Sequence, residues 1–124
     1  KGSAAQDGAQ FGTSTAIDGD RIIIGSPNED NCNAGLNSTP VSGCTNTGAV
    51  YIFDYVNGAW AESAYLKSDH PDDTDSFGSS ADLSGDTVAL SSPQDDSCST
   101  GIGGDQADNM CVDTGAVSIY QLAP

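Results

Sequence analysis

The chain repeats itself. Residues 11–32 (FGTSTAIDGDRIIIGSPNEDNC) and 77–98 (FGSSADLSGDTVALSSPQDDSC) are identical at 9 of 22 positions with an offset of 66. After a variable loop, residues 44–53 (CTNTGAVYIF) match 111–120 (CVDTGAVSIY) at 6 of 10 positions with an offset of 67. The one-residue difference lies in the loop, 11 residues in the first copy and 12 in the second. A repeat of this period points to small units that stack, since one unit alone cannot bury its apolar face.

Each copy reads as short strands. The stretch Phe11 to Ile17 ends at the turn signal Asp18-Gly19-Asp20, and Arg21 to Gly25 is a β-branched run stopped by Pro27. Gly48 to Tyr55 is a third run, Asn57-Gly58 a strong hairpin signal, and Trp60 to Leu66 a fourth. The second copy offers Phe77 to Leu83, Thr87 to Leu90 and Ala116 to Leu122, and its fourth strand is missing. The expected fold is all-β: two tandem antiparallel units of four and then three strands. The expected division is an N-terminal segment 1–10, a first unit 11–67, an acidic linker 68–76 and a second unit 77–124. Ile22-Ile23-Ile24 and Val50-Tyr51-Ile52-Phe53 are apolar at consecutive positions, which suits sheets covered on both faces.

Composition excludes several function classes. Of 18 acidic residues, 16 are Asp and only Glu29 and Glu62 are Glu, which suits turns and argues against long helices. A net charge of −15 repels a phosphate backbone or an anionic lipid surface, so neither nucleic acid nor membrane insertion is expected. Apolar runs last only a few residues, and no charged-then-apolar leader stands at Lys1, so a secreted form is expected to have lost its leader already.

The pieces Phe11-Gly12, Gly25-Ser26-Pro27 and Gly48-Ala49-Val50 recur as Phe77-Gly78, Ser91-Ser92-Pro93 and Gly115-Ala116-Val117. This pattern, over about residues 11–122, resembles FG-GAP repeats, the blades of the integrin alpha-subunit propeller and of many secreted bacterial propeller proteins. Trp60 with Ala64-Tyr65-Leu66-Lys67 is similar to the strand that closes a blade in the bacterial versions. The resemblance implies propeller-type blades, commonly seven to a ring. Fewer than two are present, so the expected architecture is an incomplete propeller.

The four Cys fall at matching places, and four Cys permit three pairings. Repeat symmetry favours Cys32 with Cys44 and Cys98 with Cys111, each clipping its own loop and adding about 3 kcal/mol on the chain-entropy model. That implies an oxidising, extracellular compartment. The rival is a metal site, for which only His70 could help, so zinc fits poorly.

Asp72, Asp73 and Asp75 join the copies, and Asp95 and Asp96 follow the Pro of the second as Glu29 and Asp30 follow that of the first. Such oxygens either hold Ca²⁺ or form a solvated acidic surface; the spacing matches no complete calcium loop, so no cofactor is required and Ca²⁺ is the one candidate. Asn37-Ser38-Thr39 is a glycosylation sequon. His70 lies in the acidic linker with no nucleophile beside it in sequence, so no enzymatic role is expected. Trp60 and Tyr65 either line a sugar-binding face or pack between sheets, the latter being favoured.

A sheet lacking its outer strand leaves backbone donors and acceptors bare. Aligning the copies sets Lys1 opposite Lys67, so the chain is either a piece of a longer repeat protein or a subunit completed by other copies of itself, in a ring or filament. The second is the expectation, with Gly2 to Gln10 of one copy, or a neighbouring sheet, covering Ala116, Val117, Ile119 and Leu122 of the next. The rival functions are a calcium-dependent adhesion or ligand-binding module, and a sugar-binding domain whose partners are glycans or another surface ligand.

Overall fold

The computed structural model describes residues 1–123, in which all regular structure is β. A four-stranded antiparallel sheet comprises β1 (Ser14–Asp18), β2 (Arg21–Ser26), β3 (Ala49–Val56) and β4 (Ala59–Leu66), in chain order. A three-stranded one comprises β5 (Ala81–Ser84), β6 (Thr87–Ser92) and β7 (Ala116–Gln121). The expected count of four and three strands is present, and the sheets do not close into a barrel.

The hairpins follow from turn chemistry. Asn57 and Gly58 both hold positive φ (53° and 84°), the geometry of a tight turn whose twist matches its strands. The strand starts differ from expectation: β1 begins at Ser14 and β5 at Ala81, not at Phe11 and Phe77. Gly12 and Gly78 hold φ of 101° and 89°, which breaks the extended backbone and makes each Phe-Gly a turn ahead of its strand. The Gly12 N–H donates to Gly25 O, and Gly78 N–H to Ser91 O, each at 2.9 Å.

The sheets pack face to face. Ile23, Val50, Ile52 and Leu66 of the first meet Phe77, Leu83, Val88 and Leu90 of the second in one buried cluster. The other face of the first sheet buries Ala49, Tyr51 and Tyr65 under Ala4 and Phe11. The run Ala49–Ile52 is therefore buried at every position, which is why it is apolar without alternation.

Disulfides join Cys32 to Cys44 and Cys98 to Cys111, with Cα–Cα distances of 5.3 and 5.1 Å. The first clipped loop returns over β4: Lys67 N–H donates to Gly35 O and Gly35 N–H to Ser68 O, both at 3.1 Å. The Asn37 Oδ1 accepts from Tyr65 N–H at 2.9 Å. The outer edge of β4 is thereby capped from within. No backbone hydrogen bond among the described residues reaches the outer edge of β7.

Candidate functional site

Two sheets that share one sequence pattern share their hydrogen bonds, residue for residue. Thr47 Oγ1 donates to Glu29 O and Asn31 O at 3.1 and 2.6 Å; Thr114 Oγ1 donates to Asp95 O and Ser97 O at 3.0 and 2.6 Å. Asn46 N–H donates to Asp30 Oδ1 at 2.8 Å, and Asp113 N–H to Asp96 Oδ1 at 2.7 Å. The turns before each Phe-Gly also match, Ala9 N–H to Gln6 O and Asp75 N–H to Asp72 O, so residues 6–10 and 72–76 are counterparts.

The contact between the sheets is built from these pieces. Residues 74–77 run beside 45–48: Thr74, Ser76 and Phe77 N–H donate to the carbonyls of Thr45, Asn46 and Thr47 at 2.7, 3.0 and 3.1 Å. Thr45 N–H donates in return to Asp73 Oδ1 at 2.9 Å. Gly48 lies against Phe77 so closely that no side chain could stand between them. Arg21 clamps the far end, with Nε and Nη2 donating to the two carboxylate oxygens of Asp54 at 2.7 and 3.0 Å, and Nη1 to Asp86 Oδ1 at 2.9 Å. The Asp54 partner holds the guanidinium above its ordinary range, and Arg21 holds Asp54 below the ordinary carboxylate range.

The outward faces of this pair are unfilled. Val117 and Ile119 of β7 are each 64% exposed, whereas their first-copy counterparts Val50 and Ile52 are at 0% and 1% beneath the second sheet. On the opposite side Ile17 is 64% exposed, whereas its counterpart Leu83 is at 8%. Ile22 and Ile24 are half-buried beside it, where Val88 and Leu90 are buried. A groove of about 320 Å³ runs along Val117–Tyr120, bounded by Gly103–Gln106, Asp69 and His70.

Beneath the first sheet's loop lies a polar core that the sequence did not announce. Glu29 and Lys67 are both fully buried, with Nζ donating to Glu29 Oε1 at 3.1 Å and to Thr47 Oγ1 at 2.6 Å. The Tyr65 hydroxyl donates to Glu29 Oε2 and accepts from Asn31 Nδ2. Burial pushes the Lys67 ammonium down and the Tyr65 phenol up, the latter reinforced by Glu29. A buried pair like this depends on every member, since losing one strands a charge out of water. Glu29 stood in the sequence as one of a run of surface acids; its full burial beside a lysine has no signal in residue spacing.

The acidic residues read in the sequence either as Ca²⁺ ligands or as a solvated surface take several separate places. Asp73 and Asp96 cap the backbone N–H groups of Thr45 and Asp113, and Asp95 Oδ1 accepts from Ser97 N–H and Oγ at 3.0 and 2.6 Å. Asp72 O accepts from Asp75 N–H at 3.3 Å. Asp75 is buried, and its Oδ1 has no hydrogen-bond partner. Burial and the neighbouring Asp95 raise its pKa to about 7, with Asp72 and Asp96 contributing. The described residues form no cluster of three or more acid, His or Cys side chains suited to a metal.

Other expected positions fall as follows. Asn37 is exposed, at φ 54°, with its Oδ1 engaged on β4. Trp60 does not pack between sheets: it lies 43% exposed at the β3–β4 hairpin, tilted at 59° against its cross-strand partner Tyr55 with ring centroids 5.3 Å apart, because the hairpin end extends past the buried part of β3 and β4. Tyr65 is buried against Tyr51. His70 is exposed, and its backbone N–H donates to Ser68 Oγ. Gly2 rests on the Tyr51 ring and Ala9 is buried under Ser26, so the segment Gly2 to Gln10 covers the chain's own first sheet. Ala116 is half-buried, and Leu122 is already part of the inter-sheet core.

The model of the FG-GAP repeat matches residues 2–53. That stretch is similar to an FG-GAP repeat. The match begins within the segment that covers Tyr51 and ends inside β3, so the matched unit includes the turn ahead of Phe11. Residues 72–120 repeat its hydrogen bonds at the offsets seen in sequence. FG-GAP repeats are typically interaction modules, and two disulfides suit an oxidising environment. No curated protein and no solved structure matches the chain.

Proposed function

We propose that the chain is an extracellular structural and interaction module that associates head to tail with further copies of itself, by repeating between copies the contact its two FG-GAP-like units make within one. The observation that carries this reading is that each half of that contact is available, unfilled, on the opposite side of the molecule.

Shifting by one repeat sets Asp7 where Asp73 stands, facing the N–H of Val112 as Asp73 faces Thr45. The N–H groups of Gln10 and Phe11 then face the carbonyls of Asp113 and Thr114, as Ser76 and Phe77 face Asn46 and Thr47. Those four groups make no backbone hydrogen bond among the described residues. Val117 and Ile119 of one copy meet Ile17, Ile22 and Ile24 of the next, replacing two exposed apolar faces with one buried one. The Arg21 clamp and the Gly85 N–H bond to Asp18 Oδ2 are not repeated, since Thr87 and Ser84 stand in place of Arg21 and Asp18. Unlike surfaces meeting in this way give a ring if the rotation closes and a filament if it does not.

Sedimentation over a concentration series tests it. The wild-type chain is expected to associate progressively, and Val117→Asp with Ile119→Asp, both exposed in the single copy, to remain monomeric with an unchanged fold. A wild type that stays monomeric at every concentration rejects the reading.

A further inference from the structure

We infer that Lys1 of a second copy seats its ammonium on Asp95 and Thr114, beside Asp75, in the position Lys67 takes on Glu29 and Thr47 within the chain. This rests on the head-to-tail association proposed above and names the ion pair at its centre.

The second unit reproduces the first unit's polar core except for its cation. Asp95 stands for Glu29, Ser97 for Asn31 and Thr114 for Thr47, with the same hydrogen bonds among them. Asp95 is 4% exposed and Asp75 is 2% exposed, yet no Lys, Arg or His within the described residues pairs with either. Buried carboxylates without a partner are costly, and an acceptor such as Asp75 Oδ1 left unbonded adds to that cost. In the first unit Ala9 occupies the place of Asp75, so the second unit carries one more carboxylate and one fewer ammonium than the first.

The chain has three basic side chains. Arg21 is committed to Asp54 and Asp86, and Lys67 to Glu29. Lys1 is exposed, lines a groove with Gly2, Phe11 and Tyr51 on the far face of the first sheet, and forms no ion pair among the described residues. It precedes Lys67 by the same 66 positions that separate Asp7 from Asp73 and Phe11 from Phe77. The register that stacks a second copy through Asp7, Gln10 and Phe11 therefore brings Lys1 of that copy to the seat. Asp95 is one carbon shorter than Glu29, and Asp75 supplies a second carboxylate on the same side.

The test is a double-mutant cycle read by sedimentation. Lys1→Met and Asp95→Asn are each expected to weaken association at least tenfold, and the double variant to be no weaker than either single one. Unfolding midpoints of the dilute, monomeric variants separate loss of association from loss of fold. Carboxyl NMR adds an independent readout: the Asp75 signal is expected to titrate at lower pH in the associated wild type than in the monomer, and to keep its monomer midpoint in Lys1→Met at any concentration. A Lys1→Met chain that associates as tightly as wild type overturns the lysine seat while leaving the stacking intact. A wild type that never associates overturns both.

Discussion

The most telling residues are three acids that look alike in sequence and differ in fate. Glu29 is buried with a lysine, Asp73 caps a backbone N–H, and Asp75 is buried without a partner. The Asp75 case has a pH consequence. Its folded pKa of about 7 stands above its ordinary 3.8, through burial and the charges of Asp95, Asp72 and Asp96, so the folded chain holds a proton that the unfolded chain releases earlier. Stability from this group is complete below about pH 4 and is lost as pH rises through about 7. Asp75→Asn, neutral throughout, is expected to melt above wild type at pH 8 by roughly 5 °C, about 1 kcal/mol for a domain of this size, with the gap closing near pH 4. Thermal unfolding of the dilute monomer at both values checks it; a gap independent of pH would mean the carboxylate is not the cause. None of these fates was readable from acidic runs, because burial is decided by what a distant strand end, such as Lys67, brings over them.

Elements were far more legible. Turn signals at Asp18-Gly19-Asp20 and Asn57-Gly58 and β-branched runs between them fixed the strands, and consecutive apolar residues in β3 indicated two covered faces. The Phe-Gly pairs misled, since a left-handed glycine converts an apparently extended start into a turn. Glycine also distinguishes crowding from mere conformation. Gly48 and Gly58 share nearly the same φ, 83° and 84°, but a methyl on Gly48 would strike the Phe77 backbone while one on Gly58 would meet open space. Gly58→Ala is expected to cost about 1–2 kcal/mol from backbone strain alone. Gly48→Ala is expected to cost clearly more, since the two sheets must also part; denaturant unfolding of both variants makes the comparison, and equal losses would show that the Gly48–Phe77 approach can relax freely.

At the scale of the whole molecule, duplication was visible at once, but the means of joining units was not. It needed the hydrogen bonds between residues 74–77 and 45–48, which no spacing encodes. Charge sets the conditions for any joining of copies. With a net charge of −15 on each chain, like charges oppose their approach, and added salt screens that repulsion. Association is expected to strengthen several-fold between about 20 mM and about 300 mM NaCl, where the Debye length falls from roughly 20 Å to below 10 Å. Sedimentation across that range decides, and association that weakens steadily with salt would point to an interface dominated by opposite charges.

The Gly35–Asn37 return runs along the outer edge of β4. That edge has its backbone groups already taken, so a strand arriving from outside would first have to lift a loop that the Cys32–Cys44 bond holds in place. Reduction of that one bond would therefore expose a pairing edge that the oxidised protein keeps shut.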